Sequence, residues 1–112
     1  MGLMPVAKEI SLNDLVRVSE GVVFQEVDGE GVLLNLETGI YFGLNRIGTS
    51  IWNLIEKHGS LQRVFEAMAQ EYEVLPDSLE KDLLRLVGQL CQEGLVHTAP
   101  LRGITSGAAE TP

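Results

Sequence analysis

The feature that most constrains the fold of this chain is a short turn between two apolar stretches, residues 32–36 and 40–44. The residues Leu36-Glu37-Thr38-Gly39 fit a type I turn followed by a left-handed glycine, which is a common three-residue hairpin loop. Because side chains alternate along a strand, this loop predicts a register in which six apolar side chains share one face. The predicted pairs are Leu36–Ile40, Leu34–Phe42 and Val32–Leu44. The opposite face then carries Leu33, Asn35, Tyr41 and Gly43.

Three strands and three helices are predicted in chain order. The strands cover residues 22–27, 32–36 and 40–44, and their short connections indicate an antiparallel meander. The helices cover residues 46–58, the segment after the cap Ser60, and a segment from the cap Asp77 to about Glu93. Residues 95–97 are a candidate short strand. The order predicts an α+β fold, winged-helix-like, in which an N-terminal three-stranded antiparallel sheet is followed by three helices.

The chain has 112 residues, which is enough for one domain with a modest core. We expect a lead-in at residues 1–13, the folded domain at 14–97, and a flexible tail at 98–112, where small and polar residues dominate. No apolar run approaches the roughly 18 residues that a membrane helix needs. The first residues also lack the basic and apolar regions of a secretory signal, and we therefore expect a cytoplasmic protein without a membrane partner.

Charge and composition argue against several kinds of function. The chain has 8 Lys and Arg against 16 Asp and Glu, a net charge of −8, which is opposite to the basic face of a nucleic-acid-binding protein. One cysteine, Cys91, and two isolated histidines do not match the spacing of a zinc site. No catalytic triad, Cys-His pair or Walker-type phosphate loop is recognisable. We expect no catalytic residue, no metal site and no cofactor.

The predicted third strand, residues 40–44, raises a question about its free edge. In a simple meander this strand lies at the edge of the sheet, and edges are usually protected by Lys, Pro or a covering segment. Ile40-Tyr41-Phe42-Gly43-Leu44 has no such protection. Either the N-terminal segment or residues 95–97 cover this edge, or a partner strand completes it. An open edge would also allow a homodimer.

Two longer stretches resemble a known family. They are LLNLETGIYFGLNRIGTSIWNLI at residues 33–55 and LCQEGLV at residues 90–96. Within them, the pattern Leu-x-x-x-Thr-Gly-x-Tyr-Phe-x-Leu-Asn, the segment GTSIW and the closing Glu-Gly-Leu-Val together resemble the PqqD-like family. The resemblance covers roughly residues 14–97.

The resemblance implies a non-catalytic carrier that binds the leader segment of a ribosomally made precursor peptide. It also implies delivery to a modifying enzyme, either a radical-SAM enzyme in pyrroloquinoline quinone synthesis or a leader peptidase in lasso-peptide synthesis. In the family the leader adds to the third strand and lies against the third helix. The implied peptide-binding residues here are Ile40, Tyr41, Phe42, Gly43, Leu44, Leu83, Leu86 and Leu90, and Asp82 borders them. The alternatives are an acidic winged-helix interaction or regulatory domain, and an assembly subunit of a modifying enzyme.

Overall fold

The computed structural model describes residues 10–100 of the chain. It contains five strands and three α-helices within these residues. In chain order they are β1 (Asp14–Val18), β2 (Val22–Val27), β3 (Glu30–Asn35), β4 (Tyr41–Leu44), α1 (Arg46–His58), α2 (Leu61–Glu71), α3 (Pro76–Gln92) and β5 (Val96–Pro100). Within residues 10–100, every helix is too short or too polar to cross a bilayer.

The strands form two antiparallel sheets. The first has the order β2-β3-β4, which is the predicted meander, and the second pairs β1 with β5. The α+β class with three helices is therefore confirmed, but the three-stranded sheet is not the N-terminal element, because β1 precedes it. The candidate strand at residues 95–97 exists and extends to Pro100, so residues 98–100 of the expected tail belong to β5. The remaining tail and residues 1–9 lie outside the described residues.

The predicted register of the β3–β4 hairpin is wrong by one residue. Leu33 lies opposite Phe42, Leu34 opposite Tyr41, and Val32 opposite Gly43. Leu33 is fully buried, whereas Val32 and Tyr41 point to the exposed outer face of the sheet. A one-residue shift has this large effect because successive side chains point to opposite faces.

Asn35 is the physical reason for the shift. Its Oδ1 accepts hydrogen bonds from the backbone N–H groups of Glu37 and Thr38, at 2.8 and 3.3 Å. Its own N–H donates to the Ile40 carbonyl at 3.0 Å, so the hairpin closes at the pair Asn35–Ile40 rather than Leu36–Ile40. Asn side chains commonly organise turns in this way. Gly39 still adopts the predicted left-handed conformation, with φ 77°.

The helices begin and end close to the predicted residues. Asn45 caps α1 through a side-chain bond to the Gly48 N–H at 2.8 Å, and Ser60 caps α2. Gly59 ends α1 in the left-handed conformation. The start of α3 differs, because it begins at Pro76 and no side chain caps it. Asp77 instead places its carboxylate in the first turn, where negative charge is favourable.

The main core lies between β3 and the three helices. Trp52 of α1 is 1% exposed and stacks against Phe24 of β2, with ring centroids 6.1 Å apart. Thr49 joins α1 to the hairpin, because its hydroxyl accepts the Gly31 N–H at 2.8 Å and lies 3.5 Å from the Leu44 carbonyl. Other fully buried side chains come from α1, α2, α3 and the entry to β5: Ile55, Leu61, Val64, Met68, Leu83, Val87, Leu90, Leu95 and Val96. This packing fixes β4 at one side of the domain, next to the face of α3 that is not in the core.

Candidate functional site

The outer edge of β4 has no strand partner within residues 10–100. β4 pairs with β3 on one side and is the last strand of its sheet. β5 pairs with β1 along its whole length, so residues 95–97 do not cover the β4 edge. The sequence suggested two segments that could cover this edge. Residues 95–97 are excluded, and the N-terminal segment lies mostly outside the described residues.

The backbone of β4 presents alternate residues to this edge. Hydrogen-bonded and non-hydrogen-bonded pairs alternate along an antiparallel ladder. Because the Asn35 N–H bonds to the Ile40 carbonyl, the backbone groups of Phe42, two residues on, also face β3. The N–H and C=O groups of Tyr41 and Gly43 therefore point to the open edge. They provide two donors and two acceptors for a further strand.

A groove of about 430 Å³ lies between β4, the start of α1 and α3. Its walls are Phe42, Gly43 and Leu44 of β4, with Asn45, Ile47, Gly48 and Ile51 around the start of α1, and Asp82, Arg85, Leu86 and Gln89 of α3. Ile47 is 45% exposed, which is unusual for an isoleucine next to a core. The groove thus places several apolar side chains, together with polar ones, beside the unpaired backbone groups.

The polar rim of the groove carries both signs of charge. Asp82 and Arg85 form an ion pair at 3.6 Å on the surface of α3, and each side chain is 67% exposed. An exposed pair of this kind contributes about 0–1 kcal/mol and exchanges partners readily. Both groups therefore stay available to a charged guest.

Some predicted site residues line this groove and others do not. Phe42, Gly43, Leu44, Asp82 and Leu86 come together around it. Ile40 lies one residue before β4 and Tyr41 is 66% exposed on the outer face, so both border the edge without lining the groove.

Two of the predicted groove residues belong to the core instead. Leu83 and Leu90 are each fully buried, so neither side chain is accessible to a guest. The family resemblance had placed them in the groove. The face of α3 that lines the groove instead carries residues 82, 85, 86 and 89, about one residue around the helix from the predicted face.

The sequence reasoning missed Asn45, Ile47, Arg85 and Gln89. A usable signal was present in α3, because residues 82, 85, 86 and 89 follow the i, i+3, i+4, i+7 spacing of a single helix face. This face is difficult to identify from sequence because it mixes polar and apolar residues. A search for apolar residues at the same spacing selects the buried face of α3 instead.

No potential metal site is present among the described residues, because no three His, Cys, Asp or Glu side chains in this part of the chain are grouped suitably.

Comparisons with known proteins agree with this geometry. The family model for coenzyme PQQ synthesis protein D (PqqD) matches residues 30–96, from the start of β3 to the start of β5. A comparison with curated protein sequences gives no match.

Two solved structures are similar in fold. One is TbiB1 in complex with the TbiA(beta) leader peptide, with 36% identity and a TM-score of 0.69, covering 72% of this chain and 94% of that one. The other is lasso peptide synthetase B1 complexed with a leader peptide, with 27% identity and a TM-score of 0.67, covering 73% and 96%. The family match spans more than half of the sequence and includes the β4 edge and α3. The chain therefore belongs to the PqqD family.

Proposed function

We propose that this protein binds the leader segment of a ribosomally made precursor peptide, which adds to β4 as a further strand and lies in the groove against α3. The observation that carries the proposal is the unpaired edge of β4 next to a groove that contains both apolar and polar side chains. Support comes from the two similar structures, each of which holds a leader peptide. Strand addition to an exposed sheet edge is a common mode of peptide recognition.

The geometry suits a peptide of moderate affinity. The backbone groups of Tyr41 and Gly43 allow up to four strand hydrogen bonds, each contributing about 0.5–1.5 kcal/mol net. Side chains on the inner side of the guest strand contact Ile47, Ile51 and Leu86. Those on its other side lie on the outer face of the sheet, beside Tyr41 and Gly43.

In this proposal the protein is non-catalytic, and its role is to hold the precursor peptide and present it to an enzyme. The bound leader positions the rest of the precursor for a modifying enzyme, such as a leader peptidase or a radical-SAM enzyme. The similarity to lasso peptide synthetase B1 favours the lasso-peptide type of pathway. Because precursors of this kind are ribosomal products, we place the step in the cytoplasm. The β2-β3-β4 sheet with α1–α3 then serves as a winged-helix-like scaffold for an interaction with peptide.

Amide hydrogen exchange tests the proposal at single-residue level. The probe is the leader half of any short precursor peptide that is encoded beside this protein. In the free protein we expect the Phe42 amide to be protected because it faces β3, and the Tyr41 and Gly43 amides to exchange quickly. On saturation with the peptide we expect the Tyr41 and Gly43 amides to slow at least tenfold, with Phe42 almost unchanged.

Two results would contradict the proposal. If the Tyr41 and Gly43 amides are already slow without peptide, the edge is covered by the protein's own chain or by a second copy, and sedimentation distinguishes these. If the peptide does not bind but the protein forms a stable complex with a modifying enzyme alone, an assembly subunit is the better description.

A further inference from the structure

Gly43 has no structural reason to be a glycine in the free protein. Its φ is not in the left-handed region, and a Cβ built on it would meet no atom within 4 Å. Two nearby glycines differ, since Gly39 has φ +77° and a Cβ at Gly31 would collide with the Phe24 ring. Glycine weakens a strand because it has no side chain to pack and gains freedom in the unfolded chain. The fold alone would therefore favour a larger residue at position 43.

The missing side chain leaves a notch on the outer face of the sheet. Val32 lies directly opposite Gly43 on β3 and is 46% exposed. Tyr41, two residues earlier on the same strand and face, is more exposed still. Beside them, Gly43 and Val32 line a shallow hollow that Val27 closes on the far side. Val27 and Val32 give this hollow an apolar part, and Gly43 places it on β4, the strand with the free edge.

A strand added to β4 would place one side chain over this notch. The backbone groups of Gly43 face the open edge, so the guest residue alongside Gly43 is hydrogen-bonded to it, and its side chain lies on the outer face with that of Val32. Large side chains, aromatic ones above all, are known to cover glycines in neighbouring strands in this way.

Resting on the strand addition proposed above, we infer that Gly43 determines leader specificity by receiving a large apolar side chain, aromatic by preference, from the leader residue alongside it. This side chain packs on the Gly43 backbone and Val32, with its edge towards Tyr41. Asp28 and Glu30 line the hollow, and their negative charge disfavours an acidic residue there. A basic residue is therefore the competing occupant, and salt dependence distinguishes it from an aromatic one.

The test is a set of double-mutant cycles measured by fluorescence polarisation. The probe is the labelled leader half of any short precursor peptide that is encoded beside the protein, together with variants in which each position in turn is alanine. The protein variants are Gly43→Val, which fills the notch, and Gln25→Val as the matched control. Gln25 lies in the same cross-strand row as Val32 and Gly43, but on β2, away from the edge.

We expect Gly43→Val to weaken leader binding at least tenfold and Gln25→Val to change it less than twofold. Both variants should melt no lower than the wild type, because valine favours strands. Alanine at one leader position, occupied by a large apolar residue, should weaken binding to the wild type at least fivefold and leave binding to Gly43→Val unchanged.

Other outcomes overturn the inference. Undiminished binding by Gly43→Val, or equal losses at every leader position, would show that no side chain occupies the notch. Coupling to a Lys or Arg of the leader that vanishes at high salt would assign the hollow to a basic residue. If the wild type binds no leader at all, the proposed function itself fails. If the wild type binds the leader and the Tyr41 and Gly43 amides become protected, but no leader position shows coupling to Gly43→Val, the strand addition stands and only the inference about Gly43 fails.

Discussion

At the scale of single residues, one position on α3 separates core from surface. Leu83 is fully buried, whereas Leu86 is half-buried and lines the groove. Both are leucines on an amphipathic helix, and residue type alone does not distinguish them. The distinction comes from the angle at which α3 packs, which turns the face with Asp82, Arg85 and Gln89 towards β4.

Replacement of Leu86 with alanine should weaken leader binding about tenfold, because an apolar contact in the groove is lost. Leu84→Ala is the matched control, since Leu84 is also half-buried but does not line the groove. We expect both variants to lose about 1–2 kcal/mol of unfolding free energy. Urea denaturation followed by the emission of Trp52, together with peptide titration, measures both quantities. Equal losses of affinity in the two variants would show that α3 affects binding only through stability.

At the scale of elements, the β3–β4 loop decides which side chains reach the core. The Asn35 side chain is 5% exposed and makes three hydrogen bonds, to the N–H groups of Glu37 and Thr38 and to the Gly94 carbonyl at 3.3 Å. The same residue therefore sets the hairpin register and connects the loop to the end of α3. A register shift would move Leu33 out of the core and expose the face of β4 that now lines the groove.

Asn35→Ala should lower the free energy of unfolding by about 1–3 kcal/mol, because the loop donors and the Gly94 carbonyl lose a buried partner. Asn35→Asp keeps the two acceptor contacts in the loop and loses the donor to Gly94. We expect it to be less destabilised than the alanine variant. Thermal and urea unfolding provide the comparison. If the aspartate variant is as unstable as the alanine variant, the stabilising contribution of Asn35 comes from its bond to the Gly94 carbonyl and not from its bonds within the loop.

At the scale of the whole molecule, β1 and β5 join the two ends of the described chain. Leu95 and Val96 are buried next to α3, and the Ser19 N–H donates to the Leu95 carbonyl at 3.0 Å. This second sheet uses the segment at residues 95–97 and thereby leaves the β4 edge without a cover from β5. The availability of the edge is thus a property of the whole topology and not of β4 alone.

A chain that ends at Gly94 should not fold, because it loses two fully buried side chains and the only strand paired with β1 among residues 10–100. A chain that ends at Pro100 keeps every contact within residues 10–100, and we expect its melting temperature to stay within a few degrees of the full chain. Circular dichroism and Trp52 emission measure both. A large loss of stability in the longer truncation would contradict the prediction that residues beyond the domain form a flexible tail.

The sequence by itself determined the family and most of the elements, although it did not predict β1. The meander, the three helices, their caps at Asn45 and Ser60, and the turn at Gly39 all follow from local chemistry, since each depends on residues a few positions apart. The open edge at residues 40–44 was also identifiable as a candidate site, though the sequence did not exclude a cover.

Only the tertiary structure decided the register, the face of α3 and the partner of β5. Asn35 closes the hairpin one residue earlier than the turn pattern alone suggests, and its side-chain amide also donates to the Gly94 carbonyl, 59 residues away in sequence, which holds the loop against the end of α3. The orientation of α3 depends on packing against α2 and β5, which no local pattern encodes. The pairing of β5 with β1 is the longest-range contact between strands, and it is this pairing that leaves the edge of β4 without cover from the chain's own C-terminal strand.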